Sequence, residues 1–418
     1  MSSLPDAPEP PSSPAGRLPR NVWLLGWTSL INDTASEMVA PLLPFFLIVA
    51  LKGSAADLGL IEGCADSAAS ILKLFAGGWS DRAGRRKRFV VFGYSLPALV
   101  RPFLAWAVVP WHVLAIRLGD RIGKGVRTAP RDALIADSTD ARMHGRAFGL
   151  HRAMDHLGAA LGPLAAAAFL WARPEESADD LRALFLIALI PGLLVVLLTI
   201  VGLKEEAPRA HAGKRLDFSL RHYPRDFRLY LAALLVFTLG NSSDLFLLAR
   251  AGELGIAEPL LPILWFAFHL AKSAGNLLGG HTVDRIGAKP LLVAGWLWYA
   301  AIYFGFALAS SAWHIWALFI LYAVYYALTE PSEKTLVAQL AGSQRTGLAY
   351  GWYNLLMGVA ALPASYVFGL VYDRAGPLAA FGLGAALAAA AVGLLLLVQT
   401  PKTANQSEPN DANIDDRS

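Results

Sequence analysis

Charged residues recur inside runs that are otherwise apolar. Asp33 and Glu37 lie four residues apart, so a helix puts both carboxylates on one face. Glu62, Asp66, Ser70 and Lys73 form a second stripe at helical spacing, and Arg117, Asp120, Arg121 and Lys124 form a third. Arg152, Asp155 and His156 occupy neighbouring positions of another run. Asn241 and Asp244 polarise the next, and His269, Lys272, Ser273 and Asn276 line one more. Glu330 stands just before Pro331. An ionised side chain at the centre of a bilayer costs about 2.5–3.5 kcal/mol on insertion scales. Such groups must face inward, pair with one another or line a wet cavity. The chemistry open to them is ion pairing, proton uptake and release, and contact with a polar substrate.

Each group has a structural role that competes with the chemical one. Asp33 and Glu37 are the first choice for proton coupling; the alternative is an ion pair with Arg101, Arg121 or Lys124. Asp66, Asp155, Asn241, Asp244 and Glu330 are further coupling or substrate contacts. Arg121, with Arg117 as competitor, suits an anionic substrate or a carboxylate whose protonation it toggles. Lys272 needs an acid, and Asp66 or Asp244 would serve. His156 is as readily a satisfied packing residue. Lys124, Arg127, Arg131 and Asp132 read as gate residues at the mouth of the cavity.

Other chemistries are disfavoured. His151 and Asp155 have metal-like spacing, but no second His/Cys cluster accompanies them. Gly123-Lys124-Gly125 lacks the spacing and the preceding strand of a phosphate-binding loop. The single cysteine, Cys64, forms no intramolecular disulfide. A basic face on a soluble domain, as nucleic-acid binding requires, is absent. The expectation is no enzyme, no metal, no cofactor, and no nucleotide or nucleic-acid partner. The expected partners are a small-molecule substrate and the lipid bilayer, with the chain acting as a monomer.

The elements that carry these residues are long and greasy. Of 418 residues, 55% are hydrophobic and 16% charged, and the mean hydropathy is +0.45. Soluble domains carry about 25% charge. A spanning helix needs about 20 mostly apolar residues. Twelve stretches qualify: Val22–Leu51, Asp57–Trp79, Phe89–Val109, Trp111–Arg127, Gly145–Trp171, Leu184–Leu203, Leu229–Ala249, Leu260–Gly280, Leu291–Ala309, Trp313–Glu333, Gly347–Tyr372 and Leu378–Val398. The expected fold is an all-α polytopic membrane protein. Trp106, Trp111, Trp171, Trp296, Trp298, Trp313 and Trp316 lie near the ends and read as interfacial anchors. Tyr325, Tyr326, Trp352, Tyr353 and Asn354 lie deeper and suit either a flat substrate or core packing.

Lysine and arginine gather in alternate loops. Arg82, Arg85–Arg88, Arg142 and the run from Lys204 to Arg228 fall on one side, where both termini also lie. The positive-inside rule makes that side cytoplasmic, in a cell (cytoplasmic or inner) membrane. Residues 1–20 and 400–418 are polar tails expected to be disordered.

The chain also repeats itself. Gly77-Gly-Trp-Ser-Asp81-Arg82-Ala-Gly84 matches Gly280-His-Thr-Val-Asp284-Arg285-Ile-Gly287, and Ala147-Phe-Gly149 matches Ala349-Tyr-Gly351. Two six-helix halves follow, residues 21–203 and 229–399, joined by a linker at 204–228. Parallel halves of this kind are a transporter design.

These residues resemble the major facilitator superfamily of secondary transporters. The resemblance covers about Trp23 to Val398. Gly77, Asp81, Arg82, Gly84, Arg85 and Arg86 match its loop motif, and Gly280, Asp284, Arg285 and Gly287 keep most of the second copy. It implies a gate held shut at the basic end: an acid caps a neighbouring helix, and arginines bridge to acids of the other half. Gly149, Gly158, Gly162 and Pro163 resemble the family's antiporter pattern, though Ala166-Ala167 stands where Gly-Gly is usual. The resemblance implies helices 1, 4, 7 and 10 around a cavity, with 6, 9 and 12 facing lipid. The expected function is alternating-access transport by proton-coupled antiport, hence efflux, energised by the proton gradient. The alternative is proton-coupled uptake or exchange of an organic anion.

Overall fold

The computed structural model describes residues 17–43, 46–53, 55–171, 178–206, 218–242, 244–256, 260–342 and 346–400. The tail segments 1–16 and 401–418 and the middle of the linker lie outside the described residues, and with them those parts of the domain scheme. Among the described residues the chain is helical and has no strand.

The helices follow the twelve apolar stretches in order. In the first half they are α1 (Arg20–Glu37), α2 (Ala55–Ala83), α3 (Arg86–Val100), α4 (Pro110–Ser138) and α5 (His144–Trp171). Then comes α6, in two pieces, Ala178–Ile187 and Leu189–Leu197. A tight 3₁₀ turn at Ala40–Leu42 and a wider π-helical turn at Phe46–Ala50 extend α1, and a 3₁₀ segment at Arg101–Trp106 extends α3. In the second half α7 is split into Arg225–Gly240 and Leu245–Glu253, followed by α8 (Leu261–Ile286), α9 (Ala288–Leu308) and α10 (Ala312–Ala341). The run Thr346–Leu396 holds α11 and α12, parted at Gly376, whose φ of 79° no helix tolerates.

Six of these helical runs are long and apolar enough to cross a membrane, by length and composition alone. They include α3 with its extension, α5, α6, α9, α10 and the α11–α12 run. The others carry charge mid-helix, as α2 and α4 do, or are interrupted, as α1 and α7 are. Two sequence expectations are corrected here. Leu229–Ala249 is not continuous, because Asn241 and Ser242 sit in non-helical backbone after Gly240. Tyrosine hydroxyls of α9 take up the groups at the break: Tyr299 donates to the Gly240 carbonyl at 3.0 Å, and Tyr303 and Ser242 hydrogen-bond at 3.2 Å. Trp111–Arg127 underestimates its helix, which runs on to Ser138; Arg127–Ala136 is buried against protein rather than lipid.

Helix packing follows the internal repeat. Within the first half α1 packs on α5, α2 and α3 on α4, and α6 on α3 and α1. Within the second α8 and α9 pack on α10, and α7 and α9 on the α11–α12 run. The halves meet along α2–α11 and α5–α8, two contacts related by the repeat. α6, α9 and α12 turn large apolar side chains outward, among them Ile190, Val201, Leu297, Leu308 and Leu396. Trp296 corrects the anchor reading. It is fully buried and stacks on Phe237 at 4.6 Å, whereas Trp106, Trp111 and Trp313 are exposed as anchors should be.

Candidate functional site

The loop motif forms a latch at the basic end. Asp81, at the end of α2, accepts hydrogen bonds from the backbone N–H of Gly347 (3.1 Å) and Leu348 (2.7 Å). Those amides open α11 and have no partner within their own helix. The helix dipole adds to the attraction. Arg86 pairs with Asp81 at 2.7 Å and with Asp137 of α4 at 2.6 Å. The repeat builds the same latch again. Asp284 accepts from the N–H of Gly145 (2.7 Å) and Arg146 (3.1 Å), which open α5, and from Arg146 Nε (2.9 Å). Burial at this junction is the largest influence on Asp284 and pushes its carboxyl up from the usual range, against those bonds.

Glycines make the approach possible. A Cβ on Gly77 would run into the backbone of Gly347, and one on Gly149 into that of Gly280. Gly84 and Gly287 have φ of 59° and 100°, which let each loop turn sharply into the next helix. The bridging arginines differ from expectation. Arg86 ties the motif to its own half, while Arg82, Arg85 and Arg285 are exposed.

Deeper in, Asp132 of α4 meets Lys334 of α10 across the halves, and Arg131 joins them at 3.0 Å from Asp132. Side chains of Asp132 and Lys334 are 2% and 3% exposed, so this is a desolvated pair. The two lie 202 positions apart, the repeat offset to within a residue. A residue near the pseudo-two-fold axis meets its own counterpart, which is the signal that would have found Lys334. Arg127 is held by the Gly93 carbonyl at 3.0 Å and the Tyr94 ring at 4.4 Å.

At mid-depth the first half carries a dense charge network. Arg101 Nε lies 2.7 Å from Asp120. Arg121 Nε lies 3.0 Å from Asp66, whose side chain is 65% exposed. Arg152 Nη1 lies 3.0 Å from Asp155, and Ser29 donates to the other oxygen of that carboxylate. Asp33 accepts from Asn32 at 2.7 Å and contacts Asp155 side chain to side chain. The carboxyl partner of Asp33 is therefore Asp155 of α5, not Glu37. Glu37 faces Lys124, Arg121, Arg101 and Arg117. Neighbouring carboxylates disfavour each other's negative charge, which favours holding a proton at the site. Gly158 and Gly162 set this contact, for each packs directly on the α1 backbone, at Leu30 and at Glu37–Met38.

The second half supplies a different wall. Asp244, beside the α7 break, accepts from the hydroxyls of Tyr322 (3.0 Å) and Tyr326 (2.8 Å). Asn241 accepts weakly from Tyr299 at 3.3 Å. Lys272 lies over the Tyr326 ring at 3.5 Å, and its strongest acidic neighbour is Glu330, followed by Asp244. Asp66 is thus not its partner. Glu330 accepts from Asn276 at 2.9 Å and pairs with His156 of α5 at 2.7 Å, across the halves. His156 is more than a packing residue here. The side chains of Asp66 and Lys124 are exposed although both sit mid-helix.

The arrangement can be compared with known proteins. The family model described as Major Facilitator Superfamily matches residues 25–268 and 229–415. The chain belongs to the major facilitator superfamily. It is therefore a multi-pass membrane transporter of small molecules, and the superfamily's members are transporters rather than enzymes. An uncharacterised MFS-type transporter of Methanocaldococcus jannaschii is 32% identical over 386 residues, 91% of this chain and 95% of that protein. The multidrug resistance protein MdtH of Edwardsiella ictaluri is 33% identical, but over only 105 residues, 25% of each chain. The solved fucose:proton symporter of E. coli superposes with a TM-score of 0.77 at 17% identity, over 90% of this chain and 98% of that one. That likeness concerns the fold.

Proposed function

We propose that this superfamily member is a proton-coupled transporter that works by alternating access. One observation carries the reading: Asp33 and Asp155 are neighbouring carboxylates in the charge network between α1 and α5, an arrangement that favours taking up and releasing a proton. The latches at the basic end support a two-state gate, because they join the halves through a few backbone N–H hydrogen bonds to carboxylates. The chain has no nucleotide motif, so the proton gradient is the energy source and no cofactor takes part. The loop charges support a cytoplasmic-membrane protein with both termini inside.

The charge of the substrate sets the direction. A cation that displaces the shared proton gives antiport and efflux. The Gly158–Gly162–Pro163 pattern and the partial likeness to MdtH support this reading. An anion that binds beside the proton gives movement of both together, as uptake or exchange. The basic side chains Arg121 and Lys124 next to Glu37 support this one. Counterflow in vesicles distinguishes them. Labelled drugs, organic anions, sugars and siderophore-like chelates are offered with and without an imposed proton gradient. Accumulation against proton entry supports antiport, and accumulation with it supports the anion reading. Transport indifferent to the gradient contradicts both.

A further inference from the structure

Lys73 and Lys124 differ from the other interior cations. Arg101, Arg152 and Lys334 are committed to Asp120, Asp155 and Asp132. Neither Lys73 nor Lys124 has a hydrogen-bond or ion-pair partner for its ammonium among the described residues. Helix packing holds them together. Gly125 of α4 sits against Leu72 and Ala69 of α2, so the two helices touch next to Lys124 and Lys73, and Lys124, followed by Lys334, is the strongest like charge acting on Lys73. Arg121, one turn away on α4, adds a third positive charge; it pairs with the exposed Asp66, and Glu37 faces both it and Lys124. Like charges held inside a protein repel and need a counter-charge. Lys124 is exposed and Lys73 partly so, so an added counter-charge can reach them.

We propose that Lys73 and Lys124, flanked by Arg121, form a subsite for an oxyanion of the carboxylate or phosphate type carried by the transported molecule. Two flexible ammonium groups and a guanidinium supply charge-assisted donors from two helices. Lys124 also links the subsite to the proton, since it is attracted by Asp33 and Asp155. While the pair holds its proton, Lys124 is available to the ligand. When the proton leaves, the second carboxylate charge draws Lys124 away. Anion and proton therefore bind together, which selects uptake or exchange over antiport. This last step rests on the proton-coupling reading; the subsite does not.

The test uses the full chain in lipid nanodiscs. Benzoate, succinate and inorganic phosphate are the probes, with tetraphenylphosphonium as a cationic control. Thermal shift reads binding, and a pH dye in weak buffer reads proton uptake. At least one anion should raise the Tm of the wild type. Lys73→Gln and Lys124→Gln should each weaken it about tenfold or more, while Lys124→Arg keeps most of the affinity. Ligand-free Tm values of the glutamine variants should match wild type, because no ion pair is lost. Proton uptake should accompany the anion in wild type and vanish in Asp33→Asn. No anion binding, or anion binding that survives both glutamine substitutions, overturns the subsite. So does stabilisation by tetraphenylphosphonium alone. Anion binding through the lysines without proton uptake keeps the subsite and overturns the linkage.

Discussion

Asp33 and Asp155 come from helices more than a hundred residues apart, and their contact is what makes the first half of the site chemically distinctive. Sequence spacing finds neighbours on one helix, so it paired Asp33 with Glu37. The partner on α5 was invisible to spacing, although both acids were singled out. The same limit applies to Asp244: its polar position inside an apolar run was legible, but its two tyrosine donors were not. Asp132 gives a prediction at this scale. Asp132→Asn leaves Lys334 buried without its counter-charge, and breaking such a pair costs about 3–5 kcal/mol. The variant should show a clearly lower Tm in detergent than wild type. Adding Lys334→Met to Asp132→Asn should recover part of that loss, the remainder reflecting buried Arg131, which also loses its carboxylate partner; no recovery at all would mean that the Lys334 pair is not the source.

The elements were legible as long apolar runs, and their errors share a cause. α4 exceeds its apolar stretch because its inner end is buried in protein, where hydropathy carries no signal. α7 breaks within an apolar stretch at Asn241 and Ser242, whose side chains meet Tyr299 and Tyr303 of α9, partners that hydropathy does not register. The latches were foreseen in kind, an acid capping a helix, since Asp81 and Asp284 stand at fixed places beside glycines. Which helix each would cap depended on how the halves meet. Gly77→Leu should prevent the approach of α2 to α11 and open the basic end. Spin labels on Arg88→Cys and Pro290→Cys, both exposed outside the latch, in a Cys64→Ser background, report the distance between halves. The account expects a longer mean distance in Gly77→Leu than in the parent. An unchanged distribution would contradict the latch.

For the whole molecule, the internal repeat was the strongest signal, and it reappears as two related latches and two related interfaces. Symmetry ends at the charge network: the first half carries the neighbouring acids and Lys73 and Lys124, which have no ion pair among the described residues, and the second carries tyrosines around Asp244. That asymmetry supports a division of labour between proton handling and substrate contact. The measurement that tests the central claim most directly uses full-length protein in liposomes holding a pH-sensitive dye, under an imposed proton gradient. Wild type, Asp33→Asn and Asp155→Asn are challenged with the same panel of drugs, organic anions, sugars and chelates. The account predicts that one compound class moves protons in the wild type and that both substitutions abolish this. It also predicts that counterflow of that compound persists. Substrate movement without proton flux, or proton flux untouched by both substitutions, would contradict it.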